Sequence, residues 1–109
     1  MIRRPKAHII KEKTLQSYWL EYPNAEKDLR LWIRTFRQNQ FASFNELKHA
    51  FVHFAPDYAA PFTIFDVCNN TYRLVVVIRY PRRAFIKGFF THAEYDRWTT
   101  QLRKKRGKR

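Results

Sequence analysis

The stretch Tyr72-Arg73-Leu74-Val75-Val76-Val77-Ile78-Arg79-Tyr80 decides how the chain is read. Its β-branched centre spells a strand. Because that centre is apolar on both faces, the strand belongs inside a sheet rather than at its edge. Asn69-Asn70, just before it, tolerates left-handed backbone and reads as a hairpin turn. The preceding strand is Phe62 to Val67, bounded by Pro61. Pro81-Arg82-Arg83 turns the chain once more, into a strand from Ala84 to Phe90. Three consecutive antiparallel strands follow from this pattern.

Towards the N-terminus the apolar period lengthens from two residues to between three and four. Leu15, Tyr18, Trp19 and Tyr22 share one helical face. Pro23 interrupts that helix, and Asn24 is expected to cap a second one carrying Ala25, Leu29, Trp32, Ile33 and Phe36. Ser43-Phe44-Asn45-Glu46 is a capping box that opens a short third helix with Leu47 and Phe51. Ala7 to Ile10 reads as a short opening strand. Beyond the strands, Thr91-His92-Ala93-Glu94 is a second capping box, expected to start a short last helix through Trp98. Residues 103–109 form a basic tail. The expectation is a single α+β domain over residues 1–109, with N-terminal helices packed on one face of a small, mostly antiparallel sheet.

Composition narrows the function. In 109 residues, 45% are hydrophobic and 17% aromatic, enough to fill one core. Two glycines exclude a glycine-rich phosphate loop. The lone Cys68 excludes a disulfide framework or a multi-cysteine zinc site and reads as a packing residue in a reducing compartment. Twenty-two Lys and Arg against nine Asp and Glu leave a net charge of +13, which calls for a polyanionic partner. The longest apolar run, Leu74 to Ile78, is too short to cross a bilayer. The basic start from Met1 to Lys6 lacks the apolar segment of a signal peptide. A cytoplasmic protein with no membrane partner is expected.

Strand parity places Arg73, Val75, Val77 and Arg79 on one face, and Phe85, Lys87 and Phe89 together on the next strand. If the two sets face the same way, cations and aromatics share a surface suited to phosphates and stacked bases. Tyr72, Arg79, Arg82, Arg83 and Lys87 are the candidate RNA-binding residues. The plain alternative is the solvated side of a half-buried sheet. His92 stands at a strand-to-helix junction, followed by Glu94, Tyr95 and Asp96. It is either a proton-transfer group or a surface residue of a capping turn. His49 and His53 lie four residues apart without a third ligand at useful spacing, so no metal site is expected there. Nor do Asp57, Asp66, Glu94 and Asp96 form an evident carboxylate cluster of the kind a metal-dependent nuclease needs. Metal-free RNA cleavage needs other parts. A base deprotonates the 2′-OH, cations stabilise the phosphate, and an acid protonates the leaving oxygen. His, Tyr, Arg and Lys suffice.

Asn70-Thr71-Tyr72-Arg73-Leu74 resembles the N-x-Y-R-L start of the central strand in HigB-type toxins, and Thr91-His92-Ala93-Glu94-Tyr95-Asp96 resembles their closing T-H-x-E-Y-D. Lys13-Thr14-Leu15, Tyr22-Pro23-Asn24-Ala25-Glu26 and Ser43-Phe44-Asn45-Glu46-Leu47-Lys48 are similar to that family's helical half. The likeness runs in order from Ala7 to Trp98. It implies a RelE-like fold and an mRNA interferase of a type II toxin–antitoxin system, cutting mRNA on the translating ribosome without a metal cofactor. It further implies a cognate HigA-type antitoxin with a helix-turn-helix domain. By the same resemblance Asn70 and Arg73 position and neutralise the scissile phosphate, while His92 and Tyr95 supply proton transfer or base stacking. Two departures stand out. Cys68-Asn69 occupies the place of a Gly-Gly in many relatives, and Met1 to Lys6 is additional. The reading from another class is a non-catalytic basic module that binds RNA or the ribosome. DNA binding lacks a helix-turn-helix signal here.

Overall fold

A computed structural model describes residues 8–107. The chain runs through β1 (His8–Ile10), α1 (Glu12–Glu21), a 3-10 turn at Pro23–Ala25, α2 (Glu26–Gln38) and α3 (Phe44–Ala50). A second 3-10 turn at Val52–Phe54 leads to β2 (Asp57–Ala59), β3 (Phe62–Val67), β4 (Tyr72–Arg79), β5 (Arg83–Thr91) and α4 (His92–Gly107). The strands form one sheet in the order β1-β5-β4-β3-β2, so β4 is central. β1 pairs parallel to β5, with His8 opposite Arg83, and all other pairs are antiparallel. The α+β class therefore holds. β2 is the one strand absent from the sequence reading. Its three residues are all exposed and carry no apolar alternation to read.

Helices α1, α2 and α3 cover one face. Leu15, Trp19, Leu29, Trp32, Phe36 and Leu47 meet Phe65, Val67, Leu74, Val76 and Ile86 in a single core. Trp32 stands at its centre, stacked on Phe36 at 5.5 Å and edge-on to Phe65 at 5.4 Å between ring centroids. The Thr91 capping box forms in full, and the Ser43 box forms with its carboxylate one residue upstream of the N-cap. The Glu46 N–H donates to Ser43 Oγ, and the Glu46 carboxylate accepts from the Ala42 N–H. At α4 the exchange is reciprocal between Thr91 and Glu94, at 3.3 and 2.9 Å.

Three expectations are corrected. Asn24 caps nothing: α2 follows a 3-10 turn with Ala25 at its N-cap, and Asn24 Oδ1 accepts from the Tyr72 hydroxyl at 2.9 Å. The last helix is not short and lies on the opposite sheet face, where Trp98 packs on Phe62 at 5.1 Å and on Phe90 at 5.4 Å. It runs to Gly107 because no glycine or proline stops it sooner, and basic residues suit the negative end of a helix dipole. The basic tail is thus helical from residue 103 to 107. Its last two residues, like Met1 to Ala7, lie outside the described region.

The third correction concerns β5. Val75 stands opposite Gly88 and Val76 opposite Ile86, so Lys87 is an extra residue in a bulge. The bulge inverts the parity of everything after it. Phe85 and Phe90 face the α4 side, while Phe89 turns into the core and stacks on Tyr18 at 5.0 Å. Phe89 therefore does not share a face with Phe85. The isolated glycine in a strand was the available signal. The Phe90 ring folds back over Gly88 so closely that a Cβ there would lie 2.8 Å from its Cζ. Gly88→Val should therefore lower unfolding stability by about 1–3 kcal/mol, read from denaturant midpoints. An unchanged midpoint would contradict the close approach.

Candidate active site

The site is built where β4 begins and β5 ends. In the turn between β3 and β4, Cys68, Asn69 and Asn70 are all in the left-handed region, with φ of 54°, 51° and 86°. Three such non-glycine residues in a row persist only where surrounding contacts over-determine them. Those contacts come from the start of α2, from the 3-10 turn before it and from within the turn itself. Asp28 Oδ2 accepts from the Cys68 N–H at 2.8 Å, and the Cys68 thiol donates to the Asn24 carbonyl at 3.1 Å. The Thr71 hydroxyl and N–H both donate to the Cys68 carbonyl, at 2.7 and 3.1 Å. His53 stands 3.4 Å from the other Asp28 oxygen. Burial, and secondarily the Asp28 charge, push the Cys68 thiol pKa up, which keeps it a protonated donor.

The turn delivers Asn70 to Arg73. Arg73 Nη1 donates to the Asn70 carbonyl at 3.0 Å and to the Tyr72 carbonyl at 3.3 Å, and Nη2 donates to Asn70 Oδ1. Its Nε lies 3.2 Å from Asp66 Oδ1, across the β3–β4 register. Four of the five guanidinium donors are thereby engaged, and the side chain is only 12% exposed. Since Asn70 Oδ1 accepts from Arg73, its amide nitrogen points the other way and has two N–H groups to give.

α4 closes the site from above. The Tyr95 ring centre lies 5.7 Å from Arg73 Cζ, a cation–π contact. His92 is on the same face of α4 one turn earlier, and its Nδ1 lies 3.4 Å from Asp96 Oδ2 with both side chains more than half exposed. The register sets Phe90 opposite Arg73 and Thr91 opposite Tyr72, so His92 follows directly beyond the pair. Burial raises the Tyr95 phenol pKa above its usual 10.0, Arg73 pulls it down, and Asp57, Asp66 and Asp96 push it up. At neutral pH this phenol is a hydrogen-bond donor.

Arg73 thus touches both Asn70 and Tyr95, and His92 lies three residues before Tyr95 on α4. The other candidates lie elsewhere. Tyr72, a candidate RNA-binding residue, is buried on the core side against Tyr22 and Phe89, with its hydroxyl on Asn24. Parity is the reason, since alternate residues of β4 take opposite faces. Arg79, Arg82 and Arg83 stand at the far end of the hairpin, and Lys87 is exposed at the bulge. His49 contacts the Asn45 carbonyl, and among the described residues no group of three His, Cys, Asp or Glu is placed to hold a metal ion. The Asp66 and Asp28 carboxylates were missed. Both are set by register and tertiary packing, which no local motif encodes.

Two measurements probe this geometry. Asp28→Ala leaves the Cys68 N–H without its acceptor and should cost about 1–3 kcal/mol in denaturant unfolding, whereas Asp28→Asn, whose amide oxygen can still accept, should lose less. In alkaline absorbance titration, the component that Tyr95→Phe removes should titrate above the usual tyrosine range, and Arg73→Ala should move it higher still. With its folded pKa raised, Tyr95 contributes stability that is complete below the ordinary tyrosine pKa and lost as pH rises through the folded value.

Residues 25–98 match the family model HigB_toxin, described as the RelE-like toxic component of a toxin-antitoxin system. The chain is also similar to "mRNA interferase HigB" of Escherichia coli O6:H1. The two are 29% identical over 98 residues, which cover 88% of this chain and 95% of that protein. The family match takes in the turn, β4, β5 and the first turns of α4, hence Asn70, Arg73, His92 and Tyr95 together with Asp28 and Asp66. A chain matched over most of its length, with its polar cluster inside the matched region, belongs to the HigB toxin family.

Proposed function

We propose that this protein is the toxin of a type II toxin–antitoxin system and an endoribonuclease that cuts mRNA on the translating ribosome, without a metal. The observation that carries this reading is the guanidinium of Arg73, held by Asn70 and Asp66 beneath the Tyr95 ring. The relative's name, mRNA interferase, supports mRNA as the substrate. The nucleophile is then the ribose 2′-OH, which is why RNA and not DNA is cut.

The chemistry divides among the chain's own residues. His92 takes the 2′-hydroxyl proton, imidazole being the side chain that exchanges protons near neutrality. The 2′ oxygen bonds to phosphorus as the bond from phosphorus to the 5′ oxygen breaks. The products are a 2′,3′-cyclic phosphate and a 5′-hydroxyl. The remaining Arg73 donor and the Asn70 amide face the phosphate oxygens and stabilise the added negative charge. The neutral Tyr95 phenol donates to the leaving oxygen or stacks on the neighbouring base. A protein of +13 net charge is silenced by an acidic surface on its inhibitor, in keeping with a HigA-type antitoxin that also carries a helix-turn-helix domain. The setting is the cytoplasm, where mRNA and ribosomes are.

One observation favours the second reading, a non-catalytic module that binds RNA or the ribosome. Most donors of Arg73 are already satisfied within the protein. Induction in cells with mapping of new mRNA 5′ ends separates the two. The enzyme reading expects cleavage within reading frames, reduced at least about a hundredfold by Arg73→Ala and by His92→Ala, with growth inhibition lost in both. Unaltered transcripts on induction of the wild type would leave the binding module standing.

A further inference from the structure

The hairpin end farthest from Arg73 holds a second cationic centre. Arg79 and Arg83 are directly opposite each other in the β4–β5 register, and Arg82 lies in the turn between them. Like charges so placed destabilise a strand pair. Among the described residues none of these three guanidinium groups has a carboxylate partner. With Tyr80 and Pro81 they frame a cavity of about 480 Å³. Arg79 is held over the Phe85 ring at 5.8 Å, and His8 of β1 stands opposite Arg83.

The turn is not a loose loop. The His8 N–H donates to the Arg82 carbonyl at 2.8 Å, and the Phe41 N–H donates to the Pro81 carbonyl at 2.9 Å. Two separate segments thus fix the backbone that carries the charges. A repulsive cluster held in place rather than allowed to splay is built for an anion that is supplied from outside.

We propose that Arg79, Arg82 and Arg83 form a second phosphate-binding site, separate from the Arg73 centre, that takes the sugar–phosphate backbone of RNA. The inference rests on the RNA-cleaving reading for the identity of the polyanion. Six residues of β4 separate Arg73 from Arg79, about 20 Å at 3.3 Å per residue. A span of that length covers several consecutive phosphates of an RNA strand. Lys87 is exposed between the two ends. The backbone comes either from the strand being cut or from a second, structured RNA.

The test uses the full chain with all three arginines changed to glutamine, and three uncleavable 2′-O-methyl RNAs: a four-nucleotide strand, a twenty-nucleotide strand and a duplex hairpin. Thermal unfolding should show a midpoint no lower than wild type, because a like-charge pair is removed. The affinity advantage of a larger RNA over the four-nucleotide strand should fall at least tenfold. The slope of log affinity against log salt should drop by about 2, at roughly 0.7 per phosphate contact. Replacement by lysine should preserve that slope. Loss confined to the long single strand assigns the site to mRNA, and loss confined to the hairpin assigns it to structured RNA. If the affinity ratios and slopes stay unchanged, the proposal is overturned. A wild type that binds these RNAs but cuts no natural RNA would sink the ribonuclease reading while leaving this site in place.

Discussion

A single carboxylate joins the two halves of the chain at the point that matters most. Asp28, at the start of α2, accepts the Cys68 N–H forty residues later, at the head of a turn whose next residues also sit in left-handed backbone. Elsewhere the helical layer meets the hairpin mostly through apolar contact, which fixes distance but little orientation, with Asn24 adding polar contacts to Cys68 and Tyr72 and the Phe41 N–H donating to the Pro81 carbonyl. The directional bond aims the turn, the turn aims Asn70, and Asn70 grips Arg73 from both its carbonyl and its side chain. The guanidinium is therefore oriented, through the turn, by a helix on the opposite face of the sheet.

The charge of this protein is unevenly answered by its own acids. Glu12 and Glu26 pair with Arg37 and Arg30 on the helical face, and Asp66 pairs with Arg73. Exposed pairs of the first kind contribute little stability. The Asp66 pair is different in surroundings. It is partly buried and shared with backbone carbonyls, so its effect is orientation as much as energy. The arginines of the Pro81 turn have no such answer, and that contrast separates a self-contained centre from one that looks outward.

Much of the architecture was legible because it rests on local chemistry. β4 announced itself by its β-branched run, both capping boxes by their spacing, and the tight turn by Asn69-Asn70. What stayed hidden depends on relations between distant residues. The one-residue slip at Lys87 reassigns Phe89 and Phe90, and only a lone glycine marked it. The length of α4 was misjudged because a block of like charges reads as a tail, although its position at a helix C-terminus makes those charges favourable. Within the site, Asn70, Arg73, His92 and Tyr95 stand in recognisable short motifs. Asp28 and Asp66 reach the turn and the guanidinium only through the fold. Tyr72 sits in the same motif as Arg73, and strand alternation alone sends its ring to the other side.

The bulge in β5 also gives the strand a phase boundary. On its N-terminal side the odd-numbered residues look towards α4, and on its C-terminal side the even-numbered ones do. The two segments are thereby free to vary in different ways: changes before Lys87 alter the rim around Phe85 and the arginine turn, and changes after Gly88 alter the floor beneath Trp98. Loss of one residue at this boundary would exchange the environments of Phe89 and Phe90 at a stroke, putting one ring where the other's cavity should be. In this fold the number of residues in β5 is as informative as their identity.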